Sequence, residues 1–400
     1  MYRKTFAEIN LDSLKHNFLW IKKEFSGTSF LCPMVKANAY GHGDLVVAKT
    51  LEELGVENLG VCLIEEGVRL RKGDVHCDIL VFRGFDQTGA FALYEHRLTG
   101  VVSQWNQFDY LLKVAKKFQT KVPFHLKFDT GMNRLGFPLR EAAQIKDHLR
   151  NHPELEIKSV LTHLHSAEDA NLADGKSVDQ LSQLLSLRTY FDPQQIPYHA
   201  LNSSGMAHAF LAKQKNYNKY SKFLDQINWG LRPGLSLYGY CDVELGEDSP
   251  WKPVMTLKSR ISVLRRLMPG ETVSYGATWT AKRETDLAVV PLGYADGYHR
   301  ASSNKGTALF MGLEAPLVGN ICMDYLMLDV TDVLKQRGVA STSEHVFEEE
   351  VIFFGPELSA QLCARAANTI TWEILTNVSE RVPRVFTGQM SRFVSPELSQ

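Results

Sequence analysis

Short apolar runs alternate with amphipathic segments over roughly the first 240 residues, and this alternation limits the fold more than any other feature of the chain. The runs are "FLCPMVKA", "NLGVCLI", "DILVFRG", "TGVVS", "FHLKFD", "IKSVLTHL", "YHALNSS" and "WGLRPGLSLYG". Between them lie stretches such as "GDLVVAKTLEELG" and "SVDQLSQLLSLRTYF", whose apolar residues recur at spacings of three and four, as in helices that bury one face. Eight strands alternating with helices predict a (β/α)8 barrel; a doubly wound sheet also alternates, and the strand count favours the barrel. After Tyr240 the texture changes. "CDVELGEDSPWKP" reads as a linker, and beyond it come strand-like runs broken by Gly and Pro, with one helix expected near "SAQLCARAANT". The expected domains are therefore a barrel over 1–240, its first ten or so residues joining the second domain, and a mostly β domain over 241–400.

Composition excludes some functions. Net charge is −1 with no block of one sign, so the basic footprint of a nucleic-acid or membrane-surface binder is missing. No stretch approaches the roughly 18 apolar residues of a membrane span. The N-terminal "MYRKTFAEINLDSLKHNF" lacks the apolar segment of a secretory signal. Cys32, Cys62, Cys77, Cys241, Cys322 and Cys363 are scattered without metal-ligand spacing, which suits free thiols in a reducing compartment and no metal. A cytoplasmic enzyme is the expectation.

Catalytic groups of such barrels sit at the carboxyl ends of the strands. Lys36 ends the first run; a lone lysine is usually a solvated charge, but at a dry barrel mouth it reads as a Schiff-base lysine. "KFDTGMNRLGF" offers Lys127, Asp129 and Arg134, "LTHLHSAED" offers His163 and His165, and "ALNSSG" offers Asn202 and Ser203. "GLRPGLSLYG" offers Arg232, and the N–H groups of Gly234 and Leu235 join the Ser203 hydroxyl as donors suited to a phosphate. Each alone is weak; a closed barrel would gather them.

Taken in order, "VKANAYGHG", "DTGMNRLGF", "THLHSAED", "LRPGLSLYG", "VSYGATW", "GYADGY", "GNICMD" and "RVPRVF" resemble the alanine racemases over nearly the whole chain. The resemblance implies an enzyme using pyridoxal 5'-phosphate (PLP), a (β/α)8 barrel followed by a β domain, and a head-to-tail homodimer whose sites join one barrel to the other subunit's β domain. It implies that Lys36 carries PLP and that Tyr275, from the partner subunit, is the second acid/base. Arg232 would face the pyridine nitrogen, and Tyr40, Ser203, Gly234 and Leu235 would hold the phosphate. Arg134 and the Met323 N–H would meet the substrate carboxylate. Lys127, at a position often N-carboxylated in the family, would orient Arg134. His163 would hydrogen-bond near Arg232 and Tyr275, Tyr294 would line the entrance, and Asp324 and Trp372 would support it. D-Alanine for peptidoglycan, or alanine catabolism, is the implied purpose.

Racemisation needs an α-proton removed on one face and returned on the other. Free lysine and tyrosine, with pKa values of about 10.4 and 10, are protonated near neutrality until burial or nearby cations lower them. The chain departs from the family where Trp372 stands in place of the usual tyrosine, Asn320 in place of a common arginine, and Glu168 in place of a common aspartate. A broader range that includes serine is the expectation these changes raise. Decarboxylation on a related scaffold and PLP carriage by a barrel alone are the competing readings; the "SYGAT" and "GYADG" motifs and the residues after Tyr240 argue against them.

Overall fold

The computed structural model describes residues 3–169, 175–192, 195–215, 228–245 and 249–389. It contains two compact units: Lys15–Ala39 with Asp44–Trp251, and Met1–Leu14 with Tyr40–Gly43 and Lys252–Gln400.

The first unit is a barrel. Parallel strands Asn58–Val61, Asp78–Val81, Thr99–Val102, Val122–Asp129, Leu155–Leu161, Tyr198–Leu201 and Gly230–Leu231 pair in chain order. Residues 31–34 close the circle: Leu31 bridges Leu231 and Met34 bridges Gly60, both in parallel. The Cys32 N–H donates to the Leu231 carbonyl at 2.9 Å and the Gly60 N–H to that of Pro33 at 2.9 Å. All eight apolar runs thus supply barrel staves, and their parallel course puts every carboxyl end on one rim. Cys32, Leu80, Val101 and Leu161 fill the interior with Phe30 and Phe82 against them.

Outer helices form where apolar residues share a face. In Trp105–Phe118 the buried Phe108, Leu111, Val114 and Ala115 follow three-and-four spacing. Phe108 meets Phe124 edge-on at 5.6 Å and stacks on Phe137 at 5.7 Å, and burying each such side chain contributes about 1.5–3 kcal/mol. Trp251 joins this unit because Trp20 packs edge-on against it at 4.7 Å and against Phe210 at 4.8 Å. The chain is helical over Ser203–Lys215.

The second unit is mostly β. Its larger sheet runs Leu313–Pro316, Thr307–Phe310, Glu350–Phe354, Met255–Arg260, Phe6–Asn10, Arg384–Thr387. Phe6–Asn10 lies antiparallel to Met255–Arg260 and parallel to Arg384–Thr387. A second sheet joins Val263–Leu267, Thr285–Val290 and Leu326–Asp329, and Thr272–Val273 pairs with Trp279–Thr280 as a small ribbon. Val273, Leu287, Val318 and Met327 bury the inner side of these strands. Where the sequence suggests one helix, the described residues hold three: Thr331–Arg337, Ala360–Ala367 and Thr371–Asn377. The short pattern of "TWEILTN" does not announce itself as a helix. No helix among the described residues is long and apolar enough to cross a membrane.

Candidate active site

Lys36 follows the closing segment 31–34, and the chain there does something its residue types do not advertise. Ala37, Asn38, Ala39 and Tyr40 have φ of 51°, 53°, 52° and 54°, one turn of left-handed helix. Each non-glycine residue in that conformation costs on the order of 1–2 kcal/mol, with asparagine the most tolerant. Three bonds hold the turn within the barrel unit. The Ala39 N–H donates to the Val35 carbonyl at 2.9 Å, the Ala37 N–H to Glu66 Oε1 at 2.7 Å, and Asn38 Oδ1 accepts from the Asp44 N–H at 2.9 Å. Burial lowers the pKa of the Lys36 amine; Cys62 opposes this, Arg134 adds to it, Glu66 opposes it and Arg232 adds to it.

The rim residues expected from the sequence come together around it. Lys127 lies inside strand Val122–Asp129 and is buried. Desolvation, then Arg232 and Arg134, bring its pKa down to about 8. Arg134 is exposed, and its N–H donates to Asp129 Oδ2 at 3.0 Å. Among the described residues no carboxylate pairs with Lys127, Arg134 or Arg232. The rim is therefore cationic and suited to an anionic ligand.

Arg232 follows Gly230–Leu231 and is 5% exposed. Its Nη1 donates to the His199 carbonyl at 2.7 Å and to His199 Nδ1 at 2.6 Å. Its Nη2 donates to the Thr162 carbonyl at 2.7 Å and reaches His163 Nδ1 at 3.5 Å. The Nε–H takes no acceptor among the described residues, leaving one guanidinium donor for a ligand. Burial, then Arg232, holds both His163 and His199 well below the usual imidazole range, so both are neutral. His163 therefore accepts through Nδ1 and carries its proton on Nε2.

Ser203 opens helix Ser203–Lys215. Its Oγ accepts from the Gly234 N–H at 3.0 Å and the Ser236 N–H at 3.1 Å, and Ser236 Oγ lies 3.0 Å away. The neighbouring Leu235 N–H, buried at the start of the 3-10 turn Leu235–Tyr238, donates to nothing among the described residues. A buried N–H left this way is an anion donor. Hydroxyls, the Leu235 amide and a helix N-terminus here, a half-buried amine at Lys36 and a spare N–H at Arg232 make a donor set that fits a phosphorylated pyridine aldehyde.

Sequence reasoning missed the layer beneath. His199 Nε2 lies 2.8 Å from Ser159 Oγ and 3.0 Å from His125 Nδ1, with Ser159 Oγ also hydrogen-bonded to His125. Burial, then Arg232, pushes His125 down to about 3. The signal was there: His125 shares the inward face with Lys127 two residues on, and Ser159 with His163 four residues on. Glu66 and Ser236 were missed as well.

The remaining expected residues belong to the β unit. Tyr275 sits in the turn of the ribbon, between Ser274 (φ 66°) and Gly276 (φ 73°), and is 72% exposed. The Asn320 amide donates to the Tyr275 carbonyl at 2.8 Å, and Ser274 Oγ to the Asn320 carbonyl at 2.6 Å. Tyr294 donates its N–H to the Cys322 carbonyl at 3.0 Å, and the Met323 carbonyl accepts from Ala295 at 3.0 Å. Tyr275, Tyr294 and Met323 are all exposed large side chains on these linked turns. Asp324 pairs with Arg381 at 2.7 Å, and Trp372 is half-buried on Thr371–Asn377. Tyr40 is buried, and Gly41 beside it has φ 84° with the Leu375 carbonyl 2.3 Å from where a Cβ would stand, so only glycine fits.

Comparison with known proteins agrees with this layout. The family model "Alanine racemase, N-terminal domain" matches residues 9–242, and "Alanine racemase, C-terminal domain" matches 254–386. The alanine racemase of Sorangium cellulosum is 35% identical over 401 residues, covering 96% of this chain and 99% of that one. The crystal structure of the biosynthetic alanine racemase of Pseudomonas aeruginosa superposes with a TM-score of 0.82 at 29% identity, covering 96% of this chain and 100% of that one. That of Bartonella henselae, with covalently bound pyridoxal phosphate, gives 0.81 at 26% identity, covering 96% and 99%. With both halves matched and the relatives spanned almost end to end, the chain belongs to the alanine racemase family.

Proposed function

We propose that the chain interconverts L-alanine and D-alanine with PLP held through Lys36 Nζ, using Lys36 on one face of the substrate and Tyr275 of the partner subunit on the other. The observation that carries this reading is the half-buried Lys36 amine, its pKa lowered, on a rim where among the described residues no carboxylate pairs with Lys127, Arg134 or Arg232, together with the Ser203–Leu235 donors. Bound PLP supplies an electron sink for the pair left behind when the α-proton departs. Ser203 Oγ, the Leu235 N–H and the Gly234 turn hold its phosphate, with Tyr40 assigned to the same group by motif. The spare Arg232 Nε–H would be the donor to its ring nitrogen. Arginine can only donate and stays charged, so it favours an unprotonated ring nitrogen and directs the returning proton to Cα. Arg134 and the Met323 N–H orient the substrate carboxylate. A Lys127 amine brought down to about 8 has a far larger neutral fraction near neutrality than an ordinary lysine, and the neutral form is the one that captures carbon dioxide; the carbamate would pair with Arg134.

Lys36 Nζ, neutral once released, accepts or returns the α-proton on its own side. Tyr275 Oη does so on the other, with the His163 Nε2–H as its hydrogen-bond partner. Tyr275 is 72% exposed on its own chain, beside exposed Met323 and Tyr294, and this supports a homodimer in which a second copy's barrel covers it. D-Alanine for peptidoglycan, made in the cytoplasm, is the accompanying biological reading. Purified protein should show a visible band removed by borohydride and, in deuterated water, convert L-alanine to both enantiomers with α-deuterium. Release of carbon dioxide would instead indicate decarboxylation, and a band without turnover would indicate a carrier.

A further inference from the structure

The left-handed turn that presents Lys36 is not self-supporting, and two side chains that brace it, one directly and one through Asp44, stand on one helix. Glu66 and Arg69 stand three apart on Ile64–Lys72, a spacing that shares a helix face. Glu66 Oε1 accepts the Ala37 N–H at 2.7 Å, while Oε2 accepts the N–H groups of Cys62 at 2.7 Å and Leu63 at 3.0 Å. One carboxylate thus ties the first peptide after Lys36 to the carboxyl end of strand Asn58–Val61. At the far end Arg69 pairs with the carboxylate of buried Asp44, whose own N–H is held by Asn38 Oδ1.

We propose that helix Ile64–Lys72 is a two-point clamp on the Lys36 turn, and that Glu66 is the positioning residue of the Lys36 amine. The proposal rests on the reading of Lys36 as the cofactor lysine. Three N–H groups converge on the two Glu66 oxygens, so only a carboxylate of this length satisfies them. Glutamine would turn an NH2 towards at least one donor, and aspartate falls a methylene short. The same carboxylate offsets part of the burial that lowers the Lys36 pKa, so losing it would lower that pKa further and carry the Lys36 limb of the pH profile to lower pH.

The test compares E66A, E66Q and R69M with wild type in the full-length holoenzyme. Amide hydrogen exchange over residues 36–40, the PLP dissociation constant, the pH profile and α-deuterium isotope effects in both directions are measured. For E66A, exchange over 36–40 should rise while the rest of the barrel keeps wild-type protection. Racemisation should fall about tenfold to a hundredfold, the effect of misplacing a reacting group by an ångström or so. The isotope effect should grow in the one direction in which Lys36 removes the proton. E66Q should show the same pattern more mildly, and it serves if E66A does not fold; R69M should show the weakest form. Wild-type exchange over 36–40 in both Glu66 variants, or a rise spread evenly over the barrel, would overturn the clamp. Failure of K36A to abolish the borohydride-sensitive band would overturn the reading of Lys36 instead, whatever the exchange shows.

Discussion

Two strained turns carry the proposed acid/base pair, and they are finished differently. The Lys36 turn is left-handed over residues 37–40 and tied by Glu66, Asn38 and Val35, with its amine half-buried in the fields of Cys62, Arg134 and Arg232. The Tyr275 turn is also bent through positive φ, at Ser274, Gly276 and Ala277, and is also tied, by Asn320 and Ser274. Yet Tyr275 stands 72% exposed. Backbone precision is built into both, whereas only the Lys36 side chain is drawn partly out of solvent. Under the proposed function, the barrel of a second copy covers this exposed tyrosine.

The sharpest separation of the two turns comes from removing each functional group. K36A should lose both the borohydride-sensitive band and all measurable racemisation. Y275F should keep the band and lose turnover by about 10²–10⁴-fold, the usual worth of a positioned general acid/base. If Y275F lost the band as well, the division of labour between the turns would be wrong. R232E should lower racemisation and raise abortive transamination, since a carboxylate at the ring nitrogen favours its protonation; an unchanged ratio of the two reactions would remove that role for Arg232.

Lys127 tests the cationic rim through stability. Its pKa falls from 10.5 to about 8 on folding. Between those values the unfolded chain still binds a proton that the folded chain has shed, so stability rises with pH across that window and the burial cost is largest below pH 8. In carbon-dioxide-free buffer, wild type should gain up to about 3 kcal/mol relative to K127Q from pH 8 to 10.5, read by urea unfolding. Equal slopes would place the charge elsewhere. The smallest effect is expected at Asn320: N320A removes one hydrogen bond worth about 0.5–1.5 kcal/mol, so kcat/KM should fall by no more than about tenfold with the melting temperature nearly unchanged. A larger loss, with altered preference between alanine and serine, would make the entrance and not the Tyr275 turn the main business of Asn320.

The barrel was legible because parallel strands buried on both faces write continuous apolar runs, and residues that end such runs reach one rim. The rim was legible for the same reason, Lys36, Lys127, His163, Ser203 and Arg232 all lying at or near run ends. What lay beyond reading is local. Ala37 and Ala39 are strong right-handed helix formers, and nothing in "VKANAY" signals the opposite hand; the sequence points instead to Gly41 and Gly43 for the turn. Glu66 looks like an acidic residue favouring a helix start, because its partners are backbone amides distant in sequence or supplied by strand ends. The exposure of Tyr275 follows from packing and has no trace in "VSYGATW".

The central claim is that each site takes its lysine from one chain and its tyrosine from another. Mixing inactive K36A and inactive Y275A proteins under conditions that exchange subunits tests it directly. Half of the redistributed dimers would be mixed, each with one of its two sites intact, so activity should return to about a quarter of wild type. Mixed dimers that form and remain inactive would contradict it.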